Sequence, residues 1–364
     1  MSSKKTIIIA GGGTGGHIYP GVAIARAIQR LEPGVEVHFA GARGGLEEKI
    51  IPRENFPLHL IDIGKLHSSV GWKTRLVTLL KLPMSFVQAV RIVHRLKPVA
   101  VLGVGGFASG PVLFVASLMG YRTLIWEPNA HPGMANRMLS RFVRECLLVF
   151  EDAGKYLKAR HVSRSGLPVR SSIALKRRPA GYLPAVGARL RVLVFGGSQG
   201  ARAINTVVAE AIRTNPDVLD RIELVHQTGP ADFAKIKEVY SPFPQVECLE
   251  YLHDMDSRYA WADLVVCRAG ASTVAEICAA RKAAVFIPLP TAADNHQQRN
   301  AEVLARKSAA VMILQKDFNP ITFMNVVNAF HFHRDKITNL EKNVAQFDFE
   351  HADDHIASHL LKGT

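Results

Sequence analysis

One construction recurs in this chain and limits what it can fold into: a run of apolar, often β-branched residues, a cluster of glycines, then a helix-forming stretch. It opens the sequence, where Ile7, Ile8 and Ile9 run into Gly11, Gly12, Gly13, Thr14, Gly15, Gly16 and His17, ahead of an apolar stretch with Pro20 near its start. It returns after 99–102 as Gly103-Val104-Gly105-Gly106-Phe107-Ala108-Ser109-Gly110-Pro111, and after 191–195 as Gly196-Gly197-Ser198-Gln199-Gly200-Ala201-Arg202. Read as strand, loop and helix start, such a corner gathers backbone N–H groups at the positive end of a helix dipole. It suits a phosphate or another anion. Glycine is needed because a Cβ would block positive φ and hold the ligand off the backbone. Two such loops in the first half of the chain fit an extended anion such as a pyrophosphate.

Strand-like runs alternate with helical ones throughout, at 35–40, 99–102, 123–126 and 145–149, then at 191–195, 223–226, 246–249, 264–267 and 284–287. That alternation predicts an α/β protein built from parallel βαβ units. At 364 residues and 48% hydrophobic, the chain can bury a large core and divide into two domains. A stretch rich in Pro, Gly and basic residues at 170–189 reads as the linker. The expected halves are 1–163 and 164–341, each Rossmann-like and facing a cleft, with a helix in 342–364 returning to the first.

Several classes are set aside. Gly11, Gly13 and Gly16 satisfy the dinucleotide spacing, but the strand at 35–40 ends in Gly41-Ala42-Arg43 without the acid that holds a ribose. The uncharged run 98–121 is long enough to span a membrane, yet Gly103, Gly105, Gly106, Gly110 and Pro111 divide it into strand, loop and helix. No signal peptide is expected, since the apolar run at 7–9 breaks at once into glycine. Cys146, Cys248, Cys267 and Cys278 have no paired metal spacing, which fits a reduced cytoplasmic protein. The net charge of +14 is unevenly distributed: no acid lies between Asp62 and Glu127, where Lys65, Lys73, Arg75, Lys81, Arg91, Arg95, Lys97 and Arg122 do. That is a surface for polyanions, nucleic acid or anionic lipid, and charge alone, with no nucleic-acid-binding motif, is all that supports the first.

Two later loops carry chemistry. In Cys267-Arg268-Ala269-Gly270-Ala271-Ser272-Thr273-Val274-Ala275-Glu276, the S/T-x-x-E spacing fits a capping box. It equally fits backbone amides on a phosphate, with Glu276 accepting from ribose hydroxyls. The stretch 288–301 places Asp294, Asn295, Gln297, Gln298 and Asn300 at another helix start, with the mixed donors and acceptors that sugar hydroxyls require. His351, His355 and His359 share one face of the final helix, read as an exposed face and not as a metal site.

GGGTGGH, GVGGFASGP, Glu127-Pro128-Asn129, Gly166-Leu167-Pro168-Val169-Arg170, GGSQGAR, CRAGASTVAEI and DNHQQRNA occur in the order found in the MurG family, which the chain resembles from residue 5 to about 310. These are UDP-N-acetylglucosamine:lipid I N-acetylglucosaminyltransferases of peptidoglycan synthesis. The sequence departs from the family's commoner pattern at Phe107, Pro128 and Gln298, where Tyr, Gln and Thr are usual. The resemblance implies a GT-B fold and an inverting hexosyltransferase that makes lipid II. The acceptor's pyrophosphate would lie on Gly12, Gly13, Gly105, Gly106 and Ser109. In the second domain Glu276 would take the ribose, Leu252 the uracil, and Arg170, Ser198 and the backbone at Ala271, Ser272 and Thr273 the donor pyrophosphate, with Val274 and Ala275 also among the donor-binding residues. Thr14, Gly15, Gly16, Asn129 and Gln297 would read the sugar, with Gln298 a possible additional contact, and His17 would be the general base. The implied partners are UDP-N-acetylglucosamine, lipid I and an anionic membrane met by 65–97, with no nucleic acid. No cofactor or divalent cation is implied. The implied location is the cytoplasmic face of the membrane, as a peripheral protein.

Overall fold

The computed structural model describes residues 5–63, 72–179, 181–182, 187–347 and 349–362, with side chains of the third long helix described from residue 82 onward. The chain forms two compact units, Met1–Pro168 with His351–Thr364, and Val169–Glu350. The divisions therefore fall after 168 and 350, not at 163 and 341. Helix Asp335–Val344 and the residues after it stay with the second unit, and the return to the first begins only at His351.

The first unit is a seven-stranded sheet: β1 Thr6–Gly11, β2 Glu36–Ala42, β3 Leu58–Ile61, β4 Ala100–Gly105, β5 Arg122–Glu127, β6 Glu145–Leu148 and β7 His161–Arg164. Their order is β3-β2-β1-β4-β5-β6-β7, with every pairing parallel. Ile7, Ile8 and Ile9 are fully buried because helices cover both faces of a parallel sheet. The run 98–121 resolves into β4 and helix Ser109–Leu118. Among the described residues no helix is long and apolar enough to cross a membrane.

The second unit repeats the plan with β8 Leu190–Phe195, β9 Ile222–Gln227, β10 Val246–Leu249, β11 Leu264–Cys267, β12 Ala283–Phe286 and β13 Val311–Met312. The order is β10-β9-β8-β11-β12-β13, again parallel throughout. In both units strand order reverses direction beside the first strand, between β1 and β4 and between β8 and β11. Ligand sites in open α/β sheets lie at the carboxyl ends of strands at such a switch point. The glycine loops follow β1, β4 and β8, and the Ala269-Gly270 turn follows β11, so all four converge on these places.

The last helix, Ala352–Leu361, packs on helix Gly15–Leu31, where Arg30 bonds Asp353 at 3.2 Å. His359 is not on an exposed face: it is 9% accessible, with Nδ1 2.7 Å from Glu145 Oε1. His351 and His355 are exposed. Among the described residues no group of three His, Cys, Asp or Glu could hold a metal ion.

Candidate active site

In the first unit the two glycine loops are built against each other. The Gly12 N–H donates to Gly105 O at 3.1 Å, and the register of β1 on β4 slips by one residue at Gly11, which pairs with Gly105. This bulge lets two backbones meet: a Cβ on Gly106, whose φ is +86°, would lie 2.5 Å from Gly12 O. A third partner sits behind them. Glu47, 1% accessible, accepts the Gly13 N–H at 2.8 Å and the Ala42 N–H at 2.9 Å. Gly12 and Gly13 therefore have their amides engaged within the protein. The amides left for an anion are those opening helix Gly15–Leu31, which no helical carbonyl can reach. That first turn contains no acid to neutralise its dipole.

His17 stands in this first turn with its ring over Gly105, where a Cβ would come within 2.8 Å of it. Thr14 Oγ1 lies 3.2 Å from His17 Nδ1, fixing one edge of the imidazole. Ser109 is buried and donates its hydroxyl to Gly106 O at 2.9 Å, so it braces the second loop. Asn129 is held by Glu127, whose buried carboxylate accepts the Asn129 N–H at 2.9 Å and its side-chain amide at 3.3 Å. Glu127 also accepts from Gly133 N and Asn136 Nδ2. Burial raises its pKa and these four N–H donors oppose the rise.

In the second unit Glu276 lies on helix Ala271–Ala280, which directly follows β11 and Gly270. Its Oε2 accepts the hydroxyl of the fully buried Tyr259 at 2.9 Å, and Arg170 Nη2 stands 3.7 Å from Oε1. Burial pushes the Glu276 carboxyl up, against the Tyr259 hydrogen bond and the Arg170 charge. The capping box does not form, because no side chain caps this helix and Glu276 points to Tyr259 instead. The opening amides at 271–273 remain uncapped by any side chain, with no acid in that turn.

Ser198 is exposed on the loop after β8. That loop lies on the one after β9, since a Cβ on Gly200, at φ +73°, would fall 1.8 Å from Thr228 O. Below it a buried network runs from Tyr240 OH to His226 Nδ1 at 2.8 Å, from His226 Nε2 to Asn205 at 3.1 Å, and from Asn205 to Thr228 O at 2.8 Å. Burial drives His226 down to about 3, so it serves as a neutral link. Leu252 is buried on the segment after β10, which Thr228 and Gly229 anchor through their N–H groups to Leu249 O and Glu250 O. Gln297 accepts the Leu289 N–H at 3.0 Å, which directs it to the 288–290 turn. Gln298 instead donates to Glu302 on its own helix at 2.9 Å. The two amides thus differ in direction.

Sequence reasoning did not find Glu47, Tyr259 or Arg268. The buried Arg268 donates to Ile287 O and Pro288 O at 2.9 and 3.2 Å, and to Gln315 at 2.7 Å, clamping the ends of β12 and β13. For Glu47 the advance signal was the glycines at 12, 41 and 45, whose missing side chains leave room for its carboxyl.

Two Rossmann-like units, each a parallel sheet with glycine loops at its switch point, are the plan of the GT-B fold. Residues 7–148 match the N-terminal domain and residues 191–356 the C-terminal domain of glycosyltransferase family 28. The chain belongs to that family and is a hexosyltransferase. It is 46% identical over 363 residues, all of both chains, to a Bdellovibrio bacteriovorus protein named UDP-N-acetylglucosamine--N-acetylmuramyl-(pentapeptide) pyrophosphoryl-undecaprenol N-acetylglucosamine transferase. A Myxococcus xanthus protein of the same name is 40% identical, over 92% of this chain and 87% of its own. Among solved structures, Acinetobacter baumannii MurG superposes with a TM-score of 0.81 at 28% identity, covering 98% of this chain and 99% of that one.

Proposed function

We propose that the chain transfers N-acetylglucosamine from UDP-N-acetylglucosamine to the 4-hydroxyl of the N-acetylmuramyl group of lipid I, giving lipid II and UDP. The observation that carries this reading is the full-length match to a transferase of that name, with both family domains present in order. In the reaction a bond forms between the acceptor oxygen and the anomeric carbon as the bond from that carbon to the UDP oxygen breaks. UDP leaves with the electron pair, and configuration inverts.

His17 takes the acceptor's hydroxyl proton. A tautomer protonated on Nδ1, donating to Thr14 Oγ1, makes Nε2 the proton acceptor. The acceptor's pyrophosphate lies against the Gly105, Gly106 and Ser109 loop and the amides at 14–16. Gly12 and Gly13 shape the loop without donating their own N–H groups. In the second unit Glu276 accepts from the ribose hydroxyls, and the backbone at 252 meets uracil. Arg170, Ser198 and the helix start at 271–273 receive the charge that builds on UDP, with Val274 and Ala275 behind them on the donor side. Gln297 meets the sugar, and Thr14, Gly15, Gly16 and Asn129 belong to the same assignment. No step is assigned to a metal ion. The acid-free stretch 65–97 meets an anionic membrane as a peripheral contact on the cytoplasmic side. Residues 64–71 and the side chains of 72–81 lie outside the described residues.

The test is release of UDP from UDP-N-acetylglucosamine with and without a short-chain lipid I analogue. Acceptor-dependent release is expected. Conversion of the donor sugar without acceptor would point to an epimerase instead. Binding of NADPH but not UDP would return the chain to the oxidoreductases.

A further inference from the structure

We infer that Glu47 is a positioning residue of the acceptor site, holding the first glycine loop in the one shape that turns the amides at 14–16 and His17 toward the acceptor. The inference rests on the transfer reaction proposed above. Glu47 opens a short helix, Glu47–Arg53, beyond β2, and an acid at a helix start is ordinarily solvated. Here it is 1% accessible, and the chain around it is cut away to admit it. A Cβ on Gly12, Gly41 or Gly45 would fall 2.3, 2.5 or 2.3 Å from the Glu47 side chain. Three glycines, one in the first glycine loop, one in β2 and one in the turn after β2, thus line one carboxylate.

The two oxygens have separate tasks. Oε1 accepts the Ala42 N–H at the end of β2, and Oε2 accepts the Gly13 N–H, thirty-four residues away. One planar, rigid group therefore ties the glycine loop to the end of the neighbouring strand β2. The Gly13 N–H is the last amide before the exposed Thr14, and from Thr14 the chain enters the helix that carries His17. With Gly13 fixed by Glu47 and Gly12 fixed by Gly105 O, the loop has no slack, and the next amides fall where an anion can meet them. The carboxylate also occupies the place at the end of β2 where a dinucleotide site would hold a ribose. Being enclosed and already bonded, it is closed to that use.

An amide in place of the carboxylate presents an NH2 group to one of two N–H donors, so it cannot hold both. Glu47→Gln should lower kcat/KM for a short-chain lipid I analogue about 10²-fold, the scale expected for misplacement of reacting groups by about 1 Å. UDP affinity by calorimetry should stay within about twofold, because the residues assigned to UDP itself, Glu276, Leu252, Arg170 and Ser198, belong to the other unit. A second variant reaches the same carboxylate from outside: Gly45→Ala puts a methyl 2.3 Å from Oε2 without touching the glycine loop or removing the charge. It should reproduce the kcat/KM loss, again with UDP binding intact, and it carries the test if Glu47→Gln does not fold. The role is overturned if a folded variant keeps acceptor kcat/KM within about threefold of wild type, or if UDP affinity falls in parallel. Wild-type protein that releases no UDP with acceptor present would instead overturn the transfer reading itself.

Discussion

Tyr259→Phe removes one oxygen atom from the core of the second unit, and its effect should reach UDP through Glu276. The Tyr259 hydroxyl donates to Glu276 Oε2 at 2.9 Å, while Arg170 is 3.7 Å from the other oxygen and its side chain is largely exposed. The tyrosine is therefore the firm support of this carboxylate. A hydrogen bond to a charged group contributes about 1.5–3 kcal/mol, and loss of one leaves the carboxylate partly unsatisfied. The free protein should lose stability of that order. Losing the donor also raises the Glu276 pKa further, since this hydrogen bond is the largest influence opposing burial. Glu276→Ala should weaken UDP binding by about 1–3 kcal/mol, roughly 5- to 150-fold. Tyr259→Phe should weaken it by up to about 1 kcal/mol, roughly fivefold, because the carboxylate survives with looser aim. Titration calorimetry of UDP on wild type, both single variants and the double variant gives the coupling. In the Glu276→Ala background the tyrosine has no carboxylate to aim, so Tyr259→Phe should cost nothing more. If the two effects add to within about 0.5 kcal/mol, Tyr259 and Glu276 act independently and the reasoning fails.

Three further outcomes are expected. His17→Ala should lower turnover about 10²–10⁴-fold with UDP affinity nearly intact, and near-normal turnover in a folded variant would leave His17 only a structural role. UDP binding should weaken as pH falls through the raised Glu276 pKa, beginning above the ordinary carboxylate range. The group's contribution to folding has the opposite sign, growing as pH falls, because the folded state takes the proton more readily. Glu276→Ala isolates the binding effect from titration of UDP itself, and an unchanged pH profile in that variant would exclude Glu276 as its source. Changing Lys73, Arg75 and Lys81 together to Glu should reduce sedimentation with anionic vesicles at low salt, since the three positive charges contribute ~3 kcal/mol in all. Donor binding should be spared, and wild-type sedimentation would place the membrane contact elsewhere.

The strands legible in the sequence are largely those buried on both faces, such as 7–9 and 264–267, where apolar runs are continuous. β3, β7 and β13 were not read, and each lies at a sheet edge. There one flank is open and strands are short: β7 is His-Val-Ser-Arg, largely exposed, and β13 has two residues. The glycine loops were legible because close backbone approach excludes every other residue, as Gly106 on Gly12 illustrates. What those loops do with their amides was not. Gly12 and Gly13 look available until the partners Gly105 and Glu47, distant in sequence, are brought to them. The same limit hid Tyr259, which in the sequence is one aromatic on an ordinary helix. It also made Glu276 resemble a cap, since local spacing cannot show that a buried hydroxyl competes for the carboxylate. Gln297 and Gln298 are equivalent in the sequence and separate only through the turn that Gln297 meets.

The central claim, inverting transfer of a hexosamine to one hydroxyl of a lipid-linked acceptor, is tested most directly by the linkage in the product. UDP-N-acetylglucosamine and a short-chain lipid I analogue would be incubated with the protein and the disaccharide examined by proton and carbon NMR. The account predicts a single product, β-configured at the anomeric carbon and joined to the 4-hydroxyl, formed in equal amount to the UDP released. An α-linked product, a different hydroxyl, or UDP released with no disaccharide would contradict it.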